Sequence, residues 1–268
     1  MKIGKHKDAK SSISTANSEM IVVRGFDLCK DLIGSVSITE HFWLLVAGKR
    51  ATPAQARVLD ACLVAIAEHG LVPSVQAARM TYAAGPEAMQ GAVAAGILGC
   101  GSVILGSAEQ AGRFLAQINE RAASAGLADA AKTLAQEFRT AKKPFPGYGH
   151  PLHTDEDPRA GRLVAVAKEV GVAGPYVAAA YAAEAAIREI MGRPLVFNVS
   201  GAIPAVLLDA GFPLGGLKGV PILARAASLI AHLVEEQMRP IGFLLSEAAE
   251  HSITYDGTAP ANFKPDAH

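Results

Sequence analysis

The stretch 145-FPGYGHPLHTDEDPRA-160 gathers two glycines, two histidines, three acids and an arginine between segments that are mostly alanine, valine and leucine. His150 stands between Gly149 and Pro151, where glycine lets the backbone approach a ligand and proline narrows the turn. Arg159 follows Asp157-Pro158 at a helix start, where its rigid fork can meet a carboxylate through two parallel hydrogen bonds, as lysine cannot. Plainer readings stand beside these: His150 as a surface turn residue, Arg159 as a solvated residue pairing with Asp155 or Glu156. His153 is the weaker histidine of the loop.

Two further candidates lie elsewhere. His69 falls at the end of the helical pattern 52-TPAQARVLDACLVAIAEHG-70, where the helix dipole favours an imidazolium able to donate to an anionic substrate, or where the residue simply caps the helix. Arg225 lies within 220-VPILARAASLIAHLVEE-236, where Leu223, Ala227 and Ile230 would share one apolar side; it either snorkels or meets a buried anion.

The elements that must position these residues read as helices. Thr39 and Gly48 bracket one, and Thr52 as N-cap with Pro53 at the first position opens the next, whose Val58, Cys62 and Ile66 recur at four-residue steps until Gly70. Ala88, Ala92 and Gly96 line one side of a small-residue helix over 87–100, leaving room for a neighbouring backbone. Further helices are predicted over about 107–123, 126–142, 160–170, 174–191 and 219–236, and 195-LVFNVSGAIPAVLLDAG-211 carries a polar pair inside an apolar run. Only 21-IVVRGFDL-28 invites a strand. The Pro/Gly punctuation from 144 to 215 suggests a small domain there, with 1–143 as the first part of a large one and 216–268 as its return and C-terminal tail.

The chain of 268 residues is 50% hydrophobic but only 6% aromatic, as closely approaching helices require. Its formal charge is zero, with no basic run, which argues against nucleic acid as a partner. Cys29, Cys62 and Cys100 lack metal-site or disulfide spacing and read as reduced, buried residues. The segment 92-AVAAGILGCGSVILG-106 is too short and glycine-broken to span a membrane, and the first twenty residues lack a signal's apolar centre, so the expectation is a cytoplasmic protein without membrane contact. The segment 96-GILGCGSVILG-106 fails as a dinucleotide loop because Ile104 occupies the third glycine's place, and there is no phosphate-binding lysine loop, His-Glu-x-x-His or Gly-x-Ser-x-Gly. No metal is expected.

The run 147-GYGHPLHTDEDPRA-160 resembles the signature loop of the citrate synthase family, Gly-aromatic-Gly-His followed by Asp-Pro-Arg. The likeness extends to 23-VRGFDL-28, 41-HFWLLVAGKRATPAQ-55, 68-EHGLVPSVQAAR-79, 195-LVFNVSGA-202 and 224-ARAASLIAHLVEE-236, or about residues 20 to 256. The short length and the Glu-His-Gly form are most similar to the citryl-CoA lyase branch, including the lyase module of ATP-citrate lyase. The resemblance implies an all-α fold with large and small domains, a homodimer with its active site near the subunit contact, no permanently bound cofactor, and a CoA thioester and a small carboxylate as substrates. It implies that His69 and His150 polarise a keto or hydroxyl oxygen, that Arg159 and Arg225 clamp carboxylates with Asn198 nearby, and that Gly147, Tyr148 and Gly149 border the CoA thioester.

Three departures qualify the implied chemistry. In 105-LGSA-108 Leu105 replaces the synthase histidine that stabilises the acetyl-CoA enolate, a change the lyase branch shares. Ser200, in 198-NVSG-201, stands at the catalytic aspartate's place, and a hydroxyl is too weak a base to remove a carbon-bound proton at neutral pH. The tail 253-ITYDGTAP-260 has no clear equivalent of the arginine that synthases lend across the dimer. The leading expectation is citryl-CoA lyase-type chemistry, citryl-CoA to acetyl-CoA and oxaloacetate. The alternatives are a non-catalytic paralogue that keeps the carboxylate and CoA sites, and an acyl-CoA thioester hydrolase.

Overall fold

The computed structural model describes residues 9–101, 107–149 and 155–263; Leu105, His150 and His153, with the expectations attached to them, lie outside these. Among the described residues a small antiparallel sheet is followed by eleven α-helices, so the fold is all-α in character. The strands β1 (Ser14–Ala16), β2 (Ile21–Val23) and β3 (Phe26–Asp27) pair in sequence order. Arg24 (φ 50) and Gly25 (φ 87) make the left-handed pair that a two-residue hairpin turn requires. The polar, exposed β1 went unread because backbone pairing with β2, not an apolar face, creates it.

The helices are α1 (Ile38–Ala47), α2 (Pro53–Ala67), α3 (Pro73–Ala84), α4 (Met89–Leu98), α5 (Ser107–Ala125), α6 (Leu127–Thr140), α7 (Pro158–Glu169), α8 (Pro175–Met191), α9 (Val199–Asp209), α10 (Gly219–Met238) and α11 (Gly242–Ser252). Ser37, not Thr39, caps α1, in a reciprocal box with Glu40. Thr52 and Gln55 form the same kind of box at α2. Helices α3 and α11 were not foreseen: one buries the charged Arg79 in place of an apolar residue, and the other exposes Phe243 and Leu244.

The chain divides into two compact units, Met1–Ala65 with Leu105–Val220 and Ile66–Ile104 with Pro221–His268. These bounds differ from the 144–215 division, because α7, α8 and α9 pack among themselves and on α5 and α6. The glycines and prolines near 144 make a turn inside the first unit. Its core includes Trp43, edge-on to Phe212 at 5.2 Å, and α9, buried almost throughout, lying so close to α5 that a Cβ on Gly112 would stand 3.3 Å from the Pro204 side chain.

The second unit is centred on Val75, Ala78, Tyr82, Ala92, Leu229 and Leu233. The expected small-residue side of α4 is there: a Cβ on Gly96 would lie 2.9 Å from the Ser74 carbonyl oxygen. Buried Arg79 donates to Glu236 (2.6 Å), to Glu235 (2.9 Å) and to the Arg239 carbonyl (3.0 Å), and the other Glu236 oxygen accepts from the amides of Ile241 and Gly242. Helix α10 reverses expectation. Ala227 and Ile230 are exposed, while Ala224, Arg225, Ser228, Leu229 and Glu236 are buried, Ser228 donating to Glu68 and Glu236 accepting from Arg79. Among the described residues, Leu214–Met238 is the one helical stretch long and apolar enough to cross a membrane by length and composition alone. Cys62 and Cys100 are buried as expected, but Cys29 is exposed, lying in a π-turn on the surface.

Candidate functional site

In the first unit the signature loop is fastened to the start of α9. Gly147 (φ 88) and Gly149 (φ 89) adopt left-handed backbone on either side of Tyr148, whose hydroxyl donates to the Ala180 carbonyl at 2.8 Å. Burial, reinforced by Glu184, pushes that phenol well above its ordinary value, so Tyr148 stays neutral and acts as an anchor. The Gly149 amide donates to Val196 O (2.7 Å) and the Asn198 amide to Gly147 O (3.0 Å). Asn198 completes the joint: its Oδ1 caps α9 by accepting from the amides of Ser200 and Gly201, and its Nδ2 donates to Gly149 O at 2.6 Å. Its side chain is thus engaged in the frame.

Ser200, partly exposed, is the second residue of α9. Pro204 has no amide hydrogen to offer, so the Ser200 carbonyl lacks its normal helical partner. Asp157, the N-cap of α7, is fully buried and ties Arg159 to this helix end. Its Oδ1 accepts from Arg159 N (3.1 Å) and Nε (3.0 Å), and its Oδ2 from Arg159 Nη2 (3.0 Å) and Val199 N (2.9 Å). Burial pushes the carboxyl up, but the Arg159 and Val199 hydrogen bonds outweigh it and hold Asp157 below its usual range. Arg159 therefore pairs with Asp157. Asp209, the acid nearest to Ser200 along the chain, accepts from the amides of Gly174, Tyr176 and Val177 (2.7–3.0 Å) and serves as the cap of α8.

The second unit holds His69 and Arg225. Helix α2 ends at Ala67, and Gly70 (φ 67) turns the chain, leaving His69 exposed two residues beyond the helix end. Glu68 beside it is clasped from α10: its carboxylate accepts from the Ser228 hydroxyl, from His232 Nε2 (3.0 Å) and from the Gly70 amide (2.5 Å). Arg225 is 2% exposed, and its Nε and Nη1 have no hydrogen-bond partner among the described residues. A buried guanidinium with two donors unanswered is costly unless an anion completes it.

One feature had no place in the sequence reading. Arg139, Lys142 and Lys143 rim a cleft floored by Phe145, Tyr148 and Met191, contiguous with the Gly147–Gly149 turn. The doublet 142-KK-143 directly before the glycine loop was the available signal. Asp157, Ser228 and His232 were missed as well; the N-cap spelling Asp-Pro would have identified the first of them.

The family described as "Citrate synthase, C-terminal domain" matches residues 9–241. The structure of citryl-CoA lyase from Hydrogenobacter thermophilus is similar with a TM-score of 0.85 and 32% identity, over 96% of this chain and 97% of that one. ATP citrate lyase from Methanothrix soehngenii, solved with citrate and coenzyme A, has a TM-score of 0.76 at 22% identity over 98% of this chain and 44% of its own, a likeness of fold. "Putative citrate synthase 2" of Mycobacterium tuberculosis is 27% identical over 212 residues, 78% of this chain; the chain spans about half (53%) of that relative's length. The chain belongs to the citrate synthase family.

Proposed function

We propose that this protein carries out citryl-CoA lyase-type chemistry, binding a CoA thioester and a di- or tricarboxylate and breaking or making the carbon–carbon bond next to the thioester. The observation that carries this reading is Arg225, a buried cation with two unanswered donors on the helix that clasps the residue next to His69. A small carboxylate supplies what that guanidinium lacks, and the near-full-length similarity to a citryl-CoA lyase supports the choice of reaction.

In cleavage the carbinol hydroxyl loses its proton and becomes the keto group of oxaloacetate. The bond from that carbon to the methylene beside the thioester breaks, the electron pair moves onto the methylene carbon as an enolate, and one proton returns to give acetyl-CoA. His69 and His150 serve the oxygen whose charge changes, and Arg225 and Arg159 the carboxylates. The diphosphate and adenine of CoA are assigned to the cleft of Arg139, Lys142 and Lys143, whose aromatic floor can take a base and whose cations can take phosphates. Ser200 cannot supply the proton transfer that a carboxylate supplies in the family, and a water beside it takes that part.

Ser200 also favours a second reading, a carboxylate- and CoA-binding protein without turnover. Asp157 and Asp209 are both engaged elsewhere and offer no substitute base. Cleavage of citryl-CoA to acetyl-CoA and oxaloacetate, hydrogen exchange into acetyl-CoA and oxaloacetate calorimetry, run on the natural chain and on Ser200→Asp, separate the two. Saturable binding with turnover in the natural chain supports the lyase; binding with turnover only in the variant supports the binding protein. Absence of oxaloacetate and CoA binding in both overturns the proposal. A homodimer completes the reading, its contact including the exposed apolar residues Ile230, Val234 and Met238 of α10 with Phe243 and Leu244 of α11.

A further inference from the structure

His69 is exposed and, among the described residues, no side chain fixes its imidazole. An exposed ring at a helix exit loses freedom when it must meet one substrate oxygen, unless the backbone beneath it is already set. The residue before it is set unusually well. The Glu68 carboxylate receives three kinds of donor, and two of them, the Ser228 hydroxyl and His232 Nε2, project from α10 one turn apart. Its third bond, to the Gly70 amide at 2.5 Å, closes a loop of hydrogen bonding around His69 itself. Arg225 precedes Ser228 by three residues on the same buried side of α10. One helix face therefore carries both the proposed carboxylate-binding cation and the clasp holding the His69 segment.

His232 is built for this part. Its Nε2 faces the carboxylate and so carries the hydrogen, while its Nδ1 is buried without a partner among the described residues. A buried ring nitrogen left unsatisfied is a penalty that the fold carries along with the contact to Glu68.

We infer that Glu68, gripped by Ser228 and His232, is a positioning residue that sets the backbone of His69 against Arg225, so that the imidazole meets the oxygen of an anion whose carboxylate Arg225 holds. The inference rests on the function proposed above and adds residues that touch no substrate. It separates two quantities usually lost together: Arg225 governs how tightly the anion binds, and the clasp governs whether His69 reaches it.

The test is ¹⁵N NMR of the His69 ring in the full chain, with and without saturating oxaloacetate, beside calorimetric affinity and urea unfolding, for the natural chain, Glu68→Gln, Ser228→Ala and Arg225→Met. In the natural chain oxaloacetate moves the His69 ring resonances. Glu68→Gln and Ser228→Ala keep affinity within about threefold yet lose most of that response, and lose about 10- to 100-fold in turnover, the scale of a misplaced catalytic group. Arg225→Met loses binding outright. If both clasp variants show the full His69 response and natural turnover, with at most a lower unfolding midpoint, Glu68 is merely structural and the inference falls while the proposed function stands. If oxaloacetate neither binds the natural chain nor moves His69, the proposed function falls first and this inference with it.

Discussion

Gly147 and Gly201 meet backbone to backbone: a Cβ on Gly201 would stand 2.7 Å from the Gly147 carbonyl oxygen, and one on Gly147 would stand 2.7 Å from the Gly201 Cα. The obstacle in each direction is main chain, which cannot swing aside as a side chain can. Gly201→Ala is expected to destabilise the protein by about 2–3 kcal/mol through overpacking, and Gly147→Ala by about 1 kcal/mol more for its left-handed backbone. Urea unfolding checks this; an unchanged midpoint would show that loop and helix part freely.

Glu236 joins α3, α10 and the start of α11. Glu236→Ala leaves Arg79 with its buried Nε unpaired and removes the acceptor for the amides of Ile241 and Gly242. A loss of about 3–5 kcal/mol is expected, the usual scale for breaking a buried pair from one side. Replacing both partners, as in Arg79→Met with Glu236→Leu, should recover a large part of it in the same unfolding assay.

Glu68 gives the second unit an acid dependence. Burial alone would raise its carboxyl, but the Ser228 hydroxyl, the Gly70 amide and His232 outweigh burial and bring it down to about 2 from 4.5. Because the folded value lies below the unfolded one, the stabilisation is complete above about 4.5 and disappears as the pH falls toward about 2. Ser228→Ala should move the Glu68 titration upward, read by carboxyl ¹³C NMR. A midpoint that stays put would mean that the hydroxyl contributes nothing to holding the charge.

Asp209 is a cap, so removing its charge should touch stability and leave chemistry alone. Asp209→Asn is expected to cost about 1–2 kcal/mol as the amides of α8 lose a charged acceptor. Turnover per folded molecule, and CoA and oxaloacetate affinity, should stay within about twofold, less than the loss of even one weak contact. A collapse of turnover alone would instead make Asp209 the missing base.

Lys143→Glu should weaken CoA binding by about tenfold or more at low salt, and less at high salt, since exposed charges are screened. Calorimetry at two ionic strengths decides it, with oxaloacetate affinity as the internal control. Equal CoA affinity in both proteins would move the nucleotide away from this cleft.

Much of this was legible in the sequence because motifs and caps are local. The glycines of the Gly-Tyr-Gly spelling marked a turn, Pro53 and Gly70 bracketed α2 closely, and small residues on α4 announced a close neighbour. What escaped depends on partners distant along the chain. Arg79 disqualifies α3 as an amphipathic helix until Glu236, 157 residues away, answers it. Asp157 looks like one more acid in an acidic loop until Val199 and Arg159 converge on it. Likewise the buried side of α10 cannot be found by counting apolar residues, since Arg225, Ser228 and Glu236 share it with Leu229 and Leu233.

That inverted helix has a practical side. A single copy of the chain shows water the apolar side chains of Ile230, Val234 and Met238, while Arg225 and Glu236 are buried. In the proposed homodimer, dilution, or a polar substitution intended to improve handling, would act on assembly before it acted on folding. If the proposed homodimer forms across that row, solubility and quaternary state become one variable, and concentration is the knob that turns both.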